Sequence, residues 1–128
     1  MRVLVQIPAK NEEENIRAVI QSIPRSIEGV DLIDILVVDD GSEDKTVELA
    51  KDSGASFILT RSSHSGLANS FSLGSQFFLC MGYDILVNTD GDDQYNQDKI
   101  SDLVEPILRG QAEMTVGDRQ TQNLKHFS

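Results

Sequence analysis

Apolar positions along the chain alternate between two rhythms. Residues 2–7 form a short, β-branched apolar run that stops at Pro8, and a periodic segment follows Asn11. Ile16, Val19, Ile20 and Ile23 recur at i, i+3, i+4 and i+7, the spacing of one helical face. Asn11 and Glu14 have the form of a capping box at its start, and Pro24 ends it. Ile35-Leu36-Val37-Val38 is the unbroken run expected of a strand buried on both faces, and it gives way to Asp39-Asp40-Gly41-Ser42. Ser42, with Glu43 and Asp44 behind it, predicts a second helix running to about Asp52, with Gly54 as its stop. Ala55–Thr60 reads as a third strand. Gly66 to about Met81 reads as a third helix with Leu67, Phe71, Phe78 and Met81 on its apolar face and Gly82 closing it. Asp84–Asn88 is a fourth strand. From about Asn96 a fourth helix carries Ile100, Leu103, Val104, Ile107 and Leu108 before Gly110, with a kink expected between Asp102 and Pro106. Glu113–Gly117 is a short fifth strand, and Asp118–Ser128 is polar without a pattern.

Strands alternating with helices across short connections imply βαβ crossovers. The expected architecture is a single α/β domain over 1–128, a Rossmann-like wound, mostly parallel sheet with flanking helices. In such a sheet ligands bind outside the carboxyl ends of the strands. Pro8–Glu12, Asp39–Ser42, Asn88–Gln94 and Gly117–Arg119 each follow a strand directly, and Thr60-Arg61-Ser62-Ser63-His64 adds a base and hydroxyls at the same rim.

Composition sharpens this in three ways. With 128 residues, 39% of them hydrophobic, the chain has enough apolar side chain for one core. Its 21 Asp+Glu against 11 Lys+Arg give a net charge of −10, which argues against nucleic-acid binding by phosphate neutralisation. The acids crowd together at Asp84, Asp90, Asp92, Asp93, Asp98, Asp102 and Glu105, opposed there by Lys99 alone. That excess suits a divalent cation or a cationic partner, and equally a solvated helix face. Cys80, the single cysteine, excludes an internal disulfide and is expected to pack as a small hydrophobe. No stretch approaches the ~20 apolar residues of a membrane span, and the N-terminal run is too short for a signal peptide.

Asp90-Gly91-Asp92 places two carboxylates at a strand end around a residue without a side chain. Such a pair suits Mg²⁺ or Mn²⁺, with Gln94 adding a neutral oxygen. An acidic turn capping the helix from Asn96 explains the same residues. Asp39 and Asp40 are placed to accept hydrogen bonds from a ribose hydroxyl or a base N–H, while Ser42 caps a helix. Arg119 can clamp a diphosphate, and is otherwise a surface residue. His64 and Gly66-Leu67 open the third helix, where amides can meet an anion, although a loop histidine is the plainer reading. The sequence has no Gly-rich phosphate loop and no Ser/His/Asp order.

Taken together, Ile7-Pro8-Ala9-Lys10-Asn11-Glu12-Glu13-Glu14-Asn15-Ile16, Val37-Val38-Asp39-Asp40-Gly41-Ser42-Glu43-Asp44-Lys45-Thr46, Asn88-Thr89-Asp90-Gly91-Asp92-Asp93-Gln94-Tyr95 and Gly117-Asp118-Arg119 resemble the motifs of family 2 glycosyltransferases of the GT-A fold. Within that family the likeness is to the polyprenyl- or dolichyl-phosphate sugar transferases, and it runs from Arg2 to about Arg119. The resemblance implies transfer of a sugar from a nucleoside-diphosphate-sugar to a lipid phosphate in one inverting displacement. Pro8, Ala9, Glu12 and Asp39 would hold the nucleoside. Asp90 would face the ribose or metal, Asp92 and Gln94 would bind the metal with the diphosphate, and Arg119 would help neutralise the leaving group.

Two departures accompany the likeness. Lys10 stands where many relatives carry an aromatic residue, and the chain stops where such transferases continue. The expectation is therefore the donor-binding half of a longer protein, acting at the cytoplasmic face of a membrane through sequence beyond this stretch. The sequence leaves open UDP against GDP, the sugar, the acceptor and whether an uncovered apolar patch makes the chain a homo-oligomer. The rivals are a response-regulator receiver, a nucleotidyltransferase and a non-catalytic nucleotide-binding module. Receivers need an acceptor Asp ending the third strand and a Lys ending the fifth, where this chain has Thr60-Arg61 and Gly117-Asp118-Arg119.

Overall fold

The computed structural model describes residues 1–61, 67–89, 114–117 and 124–127. Strand β1 (Arg2–Ala9) runs through Pro8 instead of stopping before it. Pro8 fits because of where its missing N–H would point. The carbonyl of Gln6 accepts from Thr89 N–H at 3.0 Å, whereas that of Ala9 accepts from Asp40 N–H at 2.9 Å, so alternate residues of β1 face opposite neighbours. The neighbour on the Gln6 side is β4 (Ile85–Asn88), which pairs with β1 only as far as Gln6 opposite Asn88. No ladder bond is lost at Pro8.

Helix α1 (Ile16–Ser22) starts later than the capping box implies, with Asn15 at the cap position and no side-chain cap bond. It ends where Ile23 turns extended (φ −70, ψ 128), the conformation forced on a residue before proline. Strand β2 (Leu32–Asp39) is longer than its apolar run. Helix α2 (Thr46–Ser53) begins well after Ser42, which therefore does not cap it. Gly54 closes α2 at φ 106, a left-handed position that only glycine takes without strain. Strand β3 (Phe57–Thr60) and helix α3 (Leu67–Cys80) follow.

The sheet order is β3-β2-β1-β4, and every pair is parallel. The chain winds outward from β1 through β2 to β3, then returns across to β4 on the other side of β1. Right-handed crossovers require the returning helix to lie on the opposite face. Accordingly α1 and α2 cover one face and α3 the other. This order also removes the receiver reading, because receivers wind in the order 2-1-3-4-5.

Strand β5 (Met114–Gly117) forms where it was expected, but it does not extend the parallel sheet. It pairs antiparallel with β6 (Leu124–Phe127), Met114 opposite Phe127. Leu124–Phe127 has too few apolar residues for a pattern to register. The expected fourth helix from Asn96, with its kink at Pro106, lies outside the described residues.

The core has two layers. Val3, Val5, Ile7, Ile33, Ile35, Val37, Ile85 and Val87 pack against Ile16, Val19 and Ile20 of α1 and Ala50 of α2. On the other face Leu4, Leu36, Val38 and Tyr83 meet Leu73, Phe77 and Phe78 of α3. Each fully buried Leu or Ile contributes about 1.5–3 kcal/mol. Two expectations for α3 fail. Met81 lies past the end of the helix and is 44% exposed, and Cys80, also exposed, does not pack as a hydrophobe. Phe78 packs on the core as expected, joined there by Leu73 and Phe77 in one strip around Gly74. The side chains of Leu67 and Phe71 lie outside the description.

At the amino end of the sheet a polar staple ties three strands' approaches together. Tyr83 donates its hydroxyl to Asp34 Oδ2 at 2.6 Å, and the Arg2 guanidinium lies 4.7 Å from the centre of the Tyr83 ring. Burial, the hydrogen bond to Asp34 and its charge push the Tyr83 hydroxyl up to about 12, with Arg2 opposing.

Candidate functional site

The winding reverses between β1 and β4, so the crevice at their carboxyl ends is the topological switch point where ligands of open α/β sheets bind. Pro8 and Ala9 finish β1 there. Thr89, buried and bonded to Gln6, finishes the approach of β4, and Asp90 is the next residue in sequence. Beside them β2 ends in Asp39, in register with Ala9 on one side and Thr60 on the other.

Asp39 is 3% exposed. Its Oδ2 accepts from the Ser42 amide at 3.2 Å, while its Oδ1 has no hydrogen-bond partner among the described residues. A buried carboxylate oxygen without a donor is costly, on the order of 1–3 kcal/mol for a polar group and more for a charge. An N–H or O–H brought to this edge would satisfy it. Asp40 is buried next to it, and Gly41 makes the turn at φ 81.

The loops after β1 and β2 are clasped together. Asn11, in the left-handed region at φ 51, donates its amide to Ser42 Oγ at 2.8 Å and accepts at Oδ1 from the Glu43 amide at 2.9 Å. Glu12 donates its amide to Thr46 Oγ1 at 2.8 Å. Glu13 donates its amide to Asp44 Oδ2 and accepts at Oε2 from the Lys45 amide, both at 3.2 Å. Lys10 Nζ donates to the Gly41 carbonyl at 2.8 Å. Burial pushes the Asp44 carboxyl up, but hydrogen bonds from the Thr46 hydroxyl and amide and from the Glu13 amide outweigh it and hold Asp44 below its ordinary value.

The structure thus brings together Pro8, Ala9, Glu12, Asp39 and Asp40 along adjoining strand ends. Asp90, Asp92, Gln94, Arg119, His64 and Gly66 lie outside the described residues. Among the described residues no cluster of His, Cys, Asp and Glu could hold a metal. Two readings change: Asn11 and Ser42 are not helix caps, because each finds its partner on the opposite loop. The sequence alone missed this clasp, and the available signal was Asn11 itself, since Asn is the non-glycine residue that best tolerates a left-handed backbone.

A family model described as glycosyl transferase family 2 matches residues 4–127, nearly the whole chain. The chain belongs to glycosyl transferase family 2. Among its relatives, the polyprenol monophosphomannose synthase of Mycolicibacterium smegmatis is 33% identical over 123 residues, covering 92% of this chain and 45% of that protein. The dolichol-phosphate mannosyltransferase of Pyrococcus furiosus is 30% identical over 128 residues, covering 98% of this chain and 35% of its own length. Among solved structures, the glucosyl-3-phosphoglycerate synthase of Mycobacterium tuberculosis in complex with UDP superimposes with a TM-score of 0.67 at 30% identity, over 87% of this chain and 41% of that one. The same enzyme crystallised with Mn²⁺, UDP and glucosyl-3-phosphoglycerate gives a TM-score of 0.65 at 29% identity, over 84% and 39% of the two chains. The family 2 chain described here spans about half the length of these relatives or less. Among its described residues no helix is long and apolar enough to cross a membrane.

Proposed function

We propose that this chain is the donor-binding half of a transferase that moves a sugar from a nucleoside diphosphate to a polyprenyl phosphate at a membrane surface, on its cytoplasmic side. The reading rests on Asp39: a buried carboxylate at the carboxyl edge, one oxygen held by Ser42 and the other aimed at no protein donor, suits the N–H of a nucleobase. Pro8 and Ala9 end the adjoining strand, and Glu12 and Asp40, on the clasped loops, are the further candidates for holding the nucleoside. The synthase and mannosyltransferase relatives named above supply the acceptor class.

Asp90, Asp92 and Gln94 offer only hard oxygen donors, a set that fits Mg²⁺ or Mn²⁺. Asp92 and Gln94 would hold the ion, with Asp90 shared between ion and ribose. When bound, a divalent cation supplies positive charge at the diphosphate. The protein's own part is positioning. An acceptor phosphate is already anionic, so its oxygen attacks the anomeric carbon without a strong general base. The new C–O bond forms as the anomeric C–O bond to the diphosphate breaks, and the electron pair leaves on the diphosphate oxygen, inverting the anomeric centre. Arg119 offsets the charge that develops there.

Calorimetric titration of the chain with UDP, GDP and their sugar conjugates, with Mn²⁺ or Mg²⁺ and again with chelator, tests this reading. Metal-dependent binding of one nucleotide supports it and names the base. A folded chain that binds neither nucleotide in either condition refutes donor binding by this half.

A further inference from the structure

We infer that Asn11 and Ser42 are positioning residues that orient Asp39 toward the nucleoside, an inference that rests on the donor-binding reading above. Asp39 does not reach its orientation alone. Its Oδ2 is fixed by the Ser42 amide at 3.2 Å, which leaves Oδ1 as the oxygen without a hydrogen-bond partner among the described residues. Residue 42 is in turn gripped from the neighbouring loop: the Asn11 amide donates to Ser42 Oγ at 2.8 Å, and the Glu43 amide donates to Asn11 Oδ1 at 2.9 Å. Asn11 thus holds residues 42 and 43 with its backbone donor and its side-chain acceptor at once.

That grip requires the left-handed backbone at residue 11. At φ 51 the Asn11 amide and side chain both turn toward the β2–α2 loop. Glycine takes this conformation freely and Asn or Asp tolerate it, so backbone shape and side-chain acceptor can be separated by mutation. Asn11→Gly keeps the turn and removes the Glu43 acceptor. Asn11→Asp keeps both. Asp39→Asn keeps the shape but changes the acceptor: its amide oxygen takes the Ser42 N–H, and an NH₂ replaces the free oxygen. Asn11 lies in the loop after β1 and Asp39 at the end of β2, so the relay also couples the two segments that would share one nucleoside.

Affinity for UDP and GDP in the presence of Mn²⁺ is measured by calorimetry on the wild-type chain, Asn11→Gly, Asn11→Asp, Asp39→Asn and the double variant Asn11→Gly/Asp39→Asn, each checked for folding by circular dichroism. One surface hydrogen bond lost predicts a fall of roughly threefold to tenfold for Asn11→Gly. Asn11→Asp should stay within about twofold of wild type. On the Asp39→Asn background Asn11→Gly should add almost nothing, because its effect passes through the carboxylate already altered. Ser42→Ala, which removes the hydroxyl but keeps the amide, is the second variant should Asn11→Gly not fold, and it should lose affinity in the same range. Wild-type affinity in folded Asn11→Gly and Ser42→Ala overturns the inference, as does a loss that persists undiminished on the Asp39→Asn background. A wild-type chain that binds neither nucleotide overturns the donor-binding reading and the relay with it. A bound nucleotide indifferent to both Asn11→Gly and Ser42→Ala overturns the relay alone.

Discussion

Gln6, in the middle of β1, lies so close against Gly74 of α3 that a Cβ on residue 74 would sit 1.9 Å from Gln6 Oε1. Gln6 is fully buried, so its amide has no solvent to retreat into. Gly74→Ala gains about 1 kcal/mol of helix propensity but overpacks the interface, which costs about 1–3 kcal/mol. The expected net is a loss of about 1 kcal/mol, seen as a lower Tm by thermal unfolding. Combining it with Gln6→Ala should cancel the penalty, since the new methyl then occupies vacated space. A Gly74→Ala variant as stable as wild type shows that the helix shifts freely.

The same glutamine carries a second consequence. Among the described residues neither Oε1 nor Nε2 of Gln6 has a hydrogen-bond partner, an expensive state for a buried amide. Gln6→Met keeps the volume and removes the unmet polar atoms. It should stabilise the chain by about 1–2 kcal/mol, read as a higher midpoint in urea. An unchanged or lower midpoint would mean that the amide has a partner after all, such as a buried water.

These two positions also show where the sequence was legible. The central strands were readable because β1 and β2 are buried on both faces, so their apolar runs survive any choice of register. The strip of α3 that faces the sheet was not. Its phase follows Gly74 meeting Gln6, a contact between residues far apart in the chain, and that phase leaves Cys80 exposed, while Met81 falls beyond the helix end. Asn11 and Ser42 were misread for a related reason. Both are good local caps, and hydrogen bonds to the opposite loop won over local capping. At the site, Asp39 could be singled out from its place after an apolar run, whereas its unpaired oxygen could only come from the fold.

Asp92 is the residue on which the metal assignment turns. Asp92→Asn replaces a charged oxygen with a neutral amide at nearly constant size. It should weaken metal-dependent nucleotide binding at least about tenfold while leaving Tm nearly unchanged, because on the proposed assignment it would remove one charged ligand from a hard cation. Chelator should reproduce the loss in wild type and add little in the variant. Equal affinity in the two proteins would place the cation elsewhere.

The clasp should loosen in acid. Asp44 is held below its ordinary value in the folded chain, so the stability it contributes is present above the unfolded value of about 3.9 and is lost as pH falls through the folded one. Asp44→Asn, which cannot ionise, lacks this dependence. The Tm gap between wild type and Asp44→Asn should therefore be constant near neutrality and shrink below about pH 4. A gap that stays the same from neutral to strongly acidic conditions would remove Asp44 from the clasp's energetics.

At the other end of the sheet the sign reverses. Tyr83 is raised to about 12, above its unfolded value of about 10, because burial and the Asp34 carboxylate both disfavour the phenolate. Its contribution to stability is therefore fully present below about pH 10 and fades as pH climbs toward the folded value. The chain has 2 tyrosines, so tyrosinate absorbance resolves the late titration directly. Tyr83→Phe should abolish that late phase and lower Tm near neutrality, since Asp34 loses its donor. Asp34→Asn keeps an acceptor for the hydroxyl but removes the charge, and should move the phase back toward 10. A late phase untouched by Asp34→Asn would assign the shift to burial alone.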